Sequence, residues 1–378
     1  MIAIVAGMIA TYPVGGMVWD YGHYVIGLEQ LGYDVVYIED TGLESYHPEP
    51  AKYLADCLSA MSPRLGNRWY YRPPYAEPSG MNEAELAAKI ARADLFLNIS
   101  GGCLMRDAYM GCQRKILVDT DPGINQFVNY PKWDRAPGWQ GTHGYRAHDY
   151  FFTYAENMGW PQCNLPDMGL SWYPTRPPVV LDCWKPCGGG SSWTTVMSWN
   201  PYRHYTQPIV YKGKTYGAKE MEFEQIENLP SKVNADFEVA VGGEGAPLDR
   251  WRQLGWEARD ANEVSENFNS YRDYIQRSKA EFSVAKNVYV QTNSGWFSTR
   301  SVCYLAAGRP VVLQDTGFGR HVPTGEGLLS WNSLEEAQKA VLVVESNYAF
   351  HQRRAREVAV EFFDARRVIG DMLALTGL

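Results

Sequence analysis

The chain has 378 residues, 45% of them hydrophobic and 21% charged, a balance that excludes a disordered protein. That length exceeds what one hydrophobic core usually fills, so two domains are expected. The net charge is −8 with the basic residues scattered, which disfavours a nucleic-acid partner, although a small cluster around one phosphate group would fit the same total.

The opening MIAIVAGMIATYPVGG lacks the basic n-region of a signal peptide, and no later stretch approaches the roughly 20 apolar residues that span a bilayer. A cytoplasmic protein without a membrane-spanning segment is expected. The cysteines, Cys163, Cys183 and Cys187 included, match no zinc spacing and no histidine pair accompanies them, so reduced thiols and no metal site are expected.

IAIVA at residues 2–6 is a short apolar run of the kind buried on both faces. Pro13, Gly15 and Gly16 form a loop, and Met17 to Leu31 reads as a helix closed by Gly32. DVVYIED is the next strand, followed by a helix near Glu83–Ala93, then strands in DLFLNISGG, RKILVDTDPG and HDYFFTYAEN. Strand and helix alternating in this way imply a parallel sheet covered by helices. The rhythm breaks at residues 174–192, where prolines come first and a triple glycine last. It restarts with the strand WTTVMSW, the helix KEMEFEQIENL, the strand DFEVAVGG and a helix around Leu248–Leu254. A long helix near Glu263–Arg277, a strand NVYVQT, a helix near Thr299–Ala307, the strand RPVVLQDTG and terminal helices follow. The expected fold is α/β, two doubly wound, Rossmann-like domains facing across a cleft, with a ligand at the carboxyl ends of the strands.

Residues 292–331 carry the strongest chemical signal. Ser294, Gly295, Ser298 and Thr299 stand at a helix start, where unpaired N–H groups and the positive dipole end suit a diphosphate; a plain capped helix is the alternative. Asp315, Thr316 and Gly317 leave a buried strand, where polar groups can hold sugar hydroxyls; a turn in which Asp315 bonds its own backbone is the alternative. Asp119 and Asp121 in LVDTDPG also sit at a strand exit, as acceptor-side groups or as an Asp-Pro turn, and His148 reads as structural.

GWFSTRSVCYLAAGRPVVLQDTGF, followed by GEGLL, resembles the donor-binding half of bacterial glycosyltransferases of the GT-B architecture. PVGGMVWDYGHYVIGLEQLGYDVVYIEDTG resembles their Gly-Gly opening loop, first helix and second strand, which puts Gly15 and Gly16 on the acceptor side. LVDTDPG, HDYFFTYAENMG and WYPTRPPV match further pieces, so the resemblance covers nearly the whole chain. It implies an acceptor-binding domain at 1–175, a linker at 176–192, a nucleotide-sugar-binding domain at 193–355 and a C-terminal helix at 356–378 that crosses back. It also implies Ser198 and Lys219 at the donor phosphates, and Trp256 and Ala258 at the nucleotide base. STRSVCYLAAG lacks the glutamate pair that many retaining members carry on this helix.

The implied activity is transfer of a sugar from a UDP-, dTDP- or GDP-sugar cosubstrate to a hydroxyl of a small molecule or glycan, with no cofactor bound permanently. The base is expected from the first domain. At about 100° per residue, Asp20 and His23 fall together on the helix face opposite Val18, Tyr21, Val25 and Leu28, and a histidine beside a carboxylate can deprotonate a hydroxyl. A solvated polar face is the plainer reading of that pair. Two other classes compete. An oxidoreductase would need a Gly-x-Gly-x-x-Gly turn, whereas the first strands lead into AGMIATYPVGG and SWNPYRH. A non-catalytic nucleotide- or sugar-binding protein would share the cleft.

Overall fold

A computed structural model of the chain describes residues 1–135, 138, 142–201 and 209–378, so the YRH of SWNPYRH lies outside the described residues. The chain divides into two compact units. One comprises Met1–Ala155, Pro166–Val180 and Ala365–Leu378, the other Glu156–Leu165 and Leu181–Asp364.

Continuous apolar strands need cover on both faces, and parallel pairing with crossover helices supplies it. In the first unit β1 (Ile2–Ala6) leads through α1 (Gly15–Gln30) to β2 (Asp34–Glu39), and α2 (Pro50–Met61) leads to β3 (Trp69–Tyr71), which pairs with the short β4 (Ser79–Gly80). Then come α3 (Glu83–Ala91), opened by an Asn82–Glu85 capping box, β5 (Leu95–Ile99), β6 (Lys115–Asp119), α4 (Tyr130–Arg135), β7 (Tyr150–Thr153) and β8 (Trp172–Pro174). The sheet order is β4-β3-β2-β1-β5-β6-β7-β8, antiparallel only between β3 and β4. The order reverses at β1, as in doubly wound folds.

In the second unit β9 (Trp193–Ser198) precedes a hairpin of β10 (Ile209–Tyr211) and β11 (Lys214–Tyr216), then α5 (Glu220–Phe223). β12 (Phe237–Gly242), α6 (Leu248–Gln253), β13 (Trp256–Asp260), α7 (Asn262–Ser265) and α8 (Phe268–Arg277) follow. The unit continues with β14 (Ala280–Ser283), α9 (Asn287–Gln291), α10 (Thr299–Ala306), β15 (Val311–Gln314), β16 (Leu328–Trp331), α11 (Leu334–Ser346) and α12 (Tyr348–Phe363). Its main sheet, β13-β12-β9-β14-β15-β16, is parallel throughout. The core on one side stacks Phe282 on Trp331 at 5.7 Å, beside Phe237 and Trp256.

Three local expectations change. The helix expected over KEMEFEQIENL is helical only at Glu220–Phe223 and continues as turns. NVYVQT is not a strand: Asn287–Gln291 is the short helix α9, and the strand is the preceding Ala280–Ser283. The helix expected over Glu263–Arg277 breaks at Asn267, whose extended backbone and side chain cap α8.

The last helix, α13 (Ala365–Leu375), belongs to the first unit and packs on α1. Gly27 permits the close approach, since a Cβ there would lie 2.6 Å from Ile369 Cδ1 and 3.0 Å from Ala365 Cβ. Gly27→Val therefore overpacks this contact, and a urea or thermal melt should show about 1–3 kcal/mol of lost stability.

Candidate functional site

A buried charged cluster lies in the second unit where the start of α10 meets β9 and β14. Arg300, in the first turn of α10, donates from Nε to Glu281 Oε1 at 2.5 Å and from Nη1 to the Val196 carbonyl at 2.9 Å, and Nη2 reaches Ser283 Oγ. Glu281 is fully buried on β14. Burial opposes the charge on Arg300, but Glu281 together with Tyr271 and Tyr304 outweighs it and raises the guanidinium pKa above its ordinary value. Lys219 is buried nearby, with no hydrogen bond or ion pair to its Nζ among the described residues. Burial, then Arg300, pushes its pKa well below 10.5, with Glu281 opposing and Lys286 adding to the fall. Lys286 lies over the Tyr289 ring at 5.4 Å, and that ring stacks on Trp296 at 4.2 Å. Lys219 and Arg300 thus both lie beside the Glu281 carboxylate, with Lys286 near Lys219.

The helix start adds more positive potential. Ser298 is the N-cap of α10 but makes no side-chain capping bond, and no acid stands in the first turn. One turn in, Ser301 Oγ is buried without a partner among the described residues. Donors left this way suit an anion.

The predicted donor residues divide into two sets. Ser298, Thr299 and Lys219 lie in or beside this cluster. Ser294, Gly295 and Thr316 form buried scaffold instead: Ser294 Oγ donates to the Tyr289 carbonyl, Gly295 N–H donates to the Thr316 carbonyl at 2.7 Å, and Thr316 Oγ1 donates to the Trp296 carbonyl at 2.6 Å. Asp315 Oδ1 accepts the Gly317 N–H at 2.8 Å, so the turn reading applies to it, and Gly317 adopts φ +88°. Ser198 ends β9 exposed, whereas the neighbouring Trp199 packs edge-on against Trp251 at 4.9 Å.

The base-binding expectation for Trp256 and Ala258 is overturned. Trp256 is a core ring against Phe223, Phe237 and Phe282, its indole N–H donating to the Glu227 carbonyl at 2.7 Å. The Ala258 carbonyl is taken by Arg252 Nε and Nη2.

In the first unit the helix with Gly15 and Gly16 at its start is buried on most sides, because α13 covers what the sequence pattern leaves polar. His23 is 0% exposed, its Nδ1 accepts the Val180 N–H at 3.1 Å, and burial lowers its pKa to about 3. A base so weak and so enclosed does not deprotonate a substrate, which corrects the expected role. Asp20 is half-buried. The Asp119 carboxylate is turned inward: it accepts from Asn125 at 2.6 Å, Gln126 at 2.7 Å and Thr153 at 3.1 Å, and burial raises its pKa to about 6. Asp121, two residues on, is half-buried. His148 is a buried structural group, as expected.

No family model and no curated protein matches the chain. Solved structures do. An alpha-glucosyltransferase in complex with UDP and a 13-mer DNA containing a HMU base matches with TM-score 0.63 at 8% identity, over 100% of both chains. AviGT4, a glycosyltransferase involved in avilamycin A biosynthesis, matches with TM-score 0.53 at 10% identity, over 99% of this chain and 97% of its own. Sucrose-phosphate synthase from Thermosynechococcus elongatus matches with TM-score 0.54 at 11% identity, over 100% and 98%. The chain has the GT-B fold. At these identities the likeness speaks for the fold alone. Among the described residues no helix is long and apolar enough to cross a membrane, and no group of three or more His, Cys, Asp or Glu is placed to hold a metal ion.

Sequence reasoning missed Arg300, Lys286 and Glu281. Arg300 was visible inside GWFSTRSVCYL as a lone cation at a helix start where an acid or a neutral cap is preferred. Also missed was Glu39, at the end of β2, which accepts from Ala10 N–H, Thr11 N–H, Thr11 Oγ1 and Tyr37 Oη and so fixes the loop before α1; burial raises its pKa to about 7.

These shifts have a measurable sign. Unfolded His23 takes up its proton near pH 6.5, folded His23 only near pH 3, so its contribution to stability falls as pH drops through that window. Glu39 and Asp119, with raised pKa values, carry the opposite sign: their stabilising share is present at low pH and is lost as pH rises towards about 7 and about 6. The His23 share is isolated by comparison with His23→Gln. Relative to that variant the wild type should lose up to about 1.4 kcal/mol per pH unit between pH 6 and 4 in urea melts. Parallel pH profiles would refute the buried neutral imidazole.

Proposed function

We propose that the chain transfers a sugar from a nucleoside-diphosphate donor to a hydroxyl group. The observation that supports this most is the buried Lys219, with Arg300 paired to Glu281 beside it, at a helix start whose N-cap Ser298 makes no side-chain bond. A diphosphate supplies the missing negative charge, and the same cations stabilise it as a leaving group when the glycosidic bond breaks. The alpha-glucosyltransferase structures that share this fold hold UDP or UDP-glucose, which favours a UDP-sugar as the first donor to try. In this reading Ser298, Thr299 and Lys219 face the phosphates, Asp315 and Gly317 face the sugar, and Asp20 replaces His23 as the acceptor-side base. The net charge of −8 favours a small-molecule or glycan acceptor over DNA and is that of an ordinary cytoplasmic enzyme.

The test is a melting-temperature screen of the full chain with UDP, dTDP, GDP and their sugar forms. A ligand at a hundredfold its Kd should add about 2.7 kcal/mol of stability. If no nucleotide shifts the melt or binds in calorimetry, the proposal is wrong.

Lys219→Met tests the cation cluster with least collateral damage, because removing Arg300 would strand the buried Glu281 at about 3–5 kcal/mol. Nucleoside-diphosphate affinity should fall about tenfold or more in Lys219→Met while the fold melts no lower. For Asp20→Asn, turnover should fall about 100-fold or more with donor binding intact. Retained turnover would remove Asp20 from the reaction.

A further inference from the structure

Ten residues of the second unit, Glu156–Leu165, are contributed by chain that lies between β7 and β8 of the first. They are held by Asn157, which is 1% exposed. Its backbone N–H donates to the Ser294 carbonyl at 3.0 Å. Its side-chain Nδ2 donates to the Asn293 carbonyl at 3.0 Å and the Gly317 carbonyl at 3.2 Å. Its Oδ1 lies 2.8 Å from His321 Nε2. The two carbonyls that share Nδ2 belong to different loops: residues 292–298 run into the start of α10, and residues 315–321 leave β15.

The fit leaves no slack. A Cβ at Gly295 would lie 2.9 Å from Asn157 Cγ, and one at Gly317 would lie 2.5 Å from Asn157 Nδ2. Both glycines hold positive φ, +78° and +88°. Both loops are bent around one carboxamide, whose three polar functions are all engaged.

We infer that Asn157 is a positioning residue: it fixes the spacing between the loop that meets the donor phosphates and the loop that meets the donor sugar. The inference rests on the donor reading proposed above. The Gly295 N–H to Thr316 carbonyl bond ties the loops directly, but it leaves the Asn293 and Gly317 carbonyls needing a donor. Only a group with two N–H bonds and one acceptor meets the Asn293, Gly317 and His321 demands together. Aspartate has the same shape and keeps an acceptor for His321, but turns a carboxylate towards two carbonyls.

The experiment compares wild type, Asn157→Ala and the isosteric Asn157→Asp as full chains, using UDP and UDP-glucose as probes and donor hydrolysis as the turnover assay. UDP touches one loop and the sugar nucleotide both. The expected result is UDP affinity within about threefold of wild type in both variants, and kcat/KM for the sugar nucleotide down about tenfold or more. In Asn157→Asp the loss should shrink relative to wild type as pH falls, because the protonated carboxyl regains one donor. Equal losses for UDP and UDP-glucose alongside a lowered melting temperature would overturn the inference, as would unchanged kinetics. Amide hydrogen exchange on the ligand-free chains separates this failure from failure of the donor reading. Residues 292–298 and 315–321 should exchange together, about tenfold faster, in Asn157→Ala. Unchanged exchange sinks the inference even where UDP binds. Wild-type chain that binds neither probe overturns the inference and the donor reading together, whereas bound UDP with unsplit kinetics overturns the inference alone.

Discussion

The ion pair of Arg300 and Glu281 is the constraint on which the second unit's chemistry depends. Glu281 is fully buried in the middle of a parallel sheet, where an isolated carboxylate would be expensive. Arg300 neutralises it and at the same time hydrogen-bonds the Val196 carbonyl and Ser283, so one side chain fastens α10 to β9 and β14. The arrangement puts a cation at the positive end of a helix, which is intrinsically unfavourable. Lys219 and Lys286 add to the same field.

Much of this frame is written openly in the chain. The apolar runs IAIVA, DVVYIE and FEVAVG are strands because nothing polar interrupts them, and the Gly-x-Pro-Val-Val stretch marks β15 with the polar turn after it. β14 was hidden for a physical reason. Its AEFS carries Glu281 in the position where a buried strand should carry an apolar residue, so it fails the pattern, while NVYVQ passes it and is helical. The residue that disguises the strand is the residue the site is built on.

The first unit shows the same limit in another form. Glu39, Asp40 and Asp119 stand at or just beyond the ends of parallel strands, where acids facing outward would serve a ligand. All three are 0% exposed and turned to protein donors: Glu39 to the loop before α1, Asp40 to Arg106 and Tyr109, Asp119 to Asn125, Gln126 and Thr153. Sequence locates the strand exit, but successive side chains point to opposite faces, and a shift of one residue exchanges them. His23 is the helical counterpart. Its face reads as polar from α1 alone, yet the residue is interior, with Val180, far away in sequence, donating its N–H to Nδ1.

Burial also governs how the proposed diphosphate acts on Lys219. With the site empty, desolvation and the neighbouring Arg300 both disfavour the ammonium form. A polyanion beside Nζ reverses the Coulombic part of that balance, and the amine then holds its proton more tightly. Proton and ligand therefore bind cooperatively, each raising the affinity of the other by the same factor. The effect has a sign opposite to that of a buried histidine switched off by protonation. A buried lysine can shift its pKa where a guanidinium stays charged, which is the physical reason a lysine, and not a second arginine, suits this buried position.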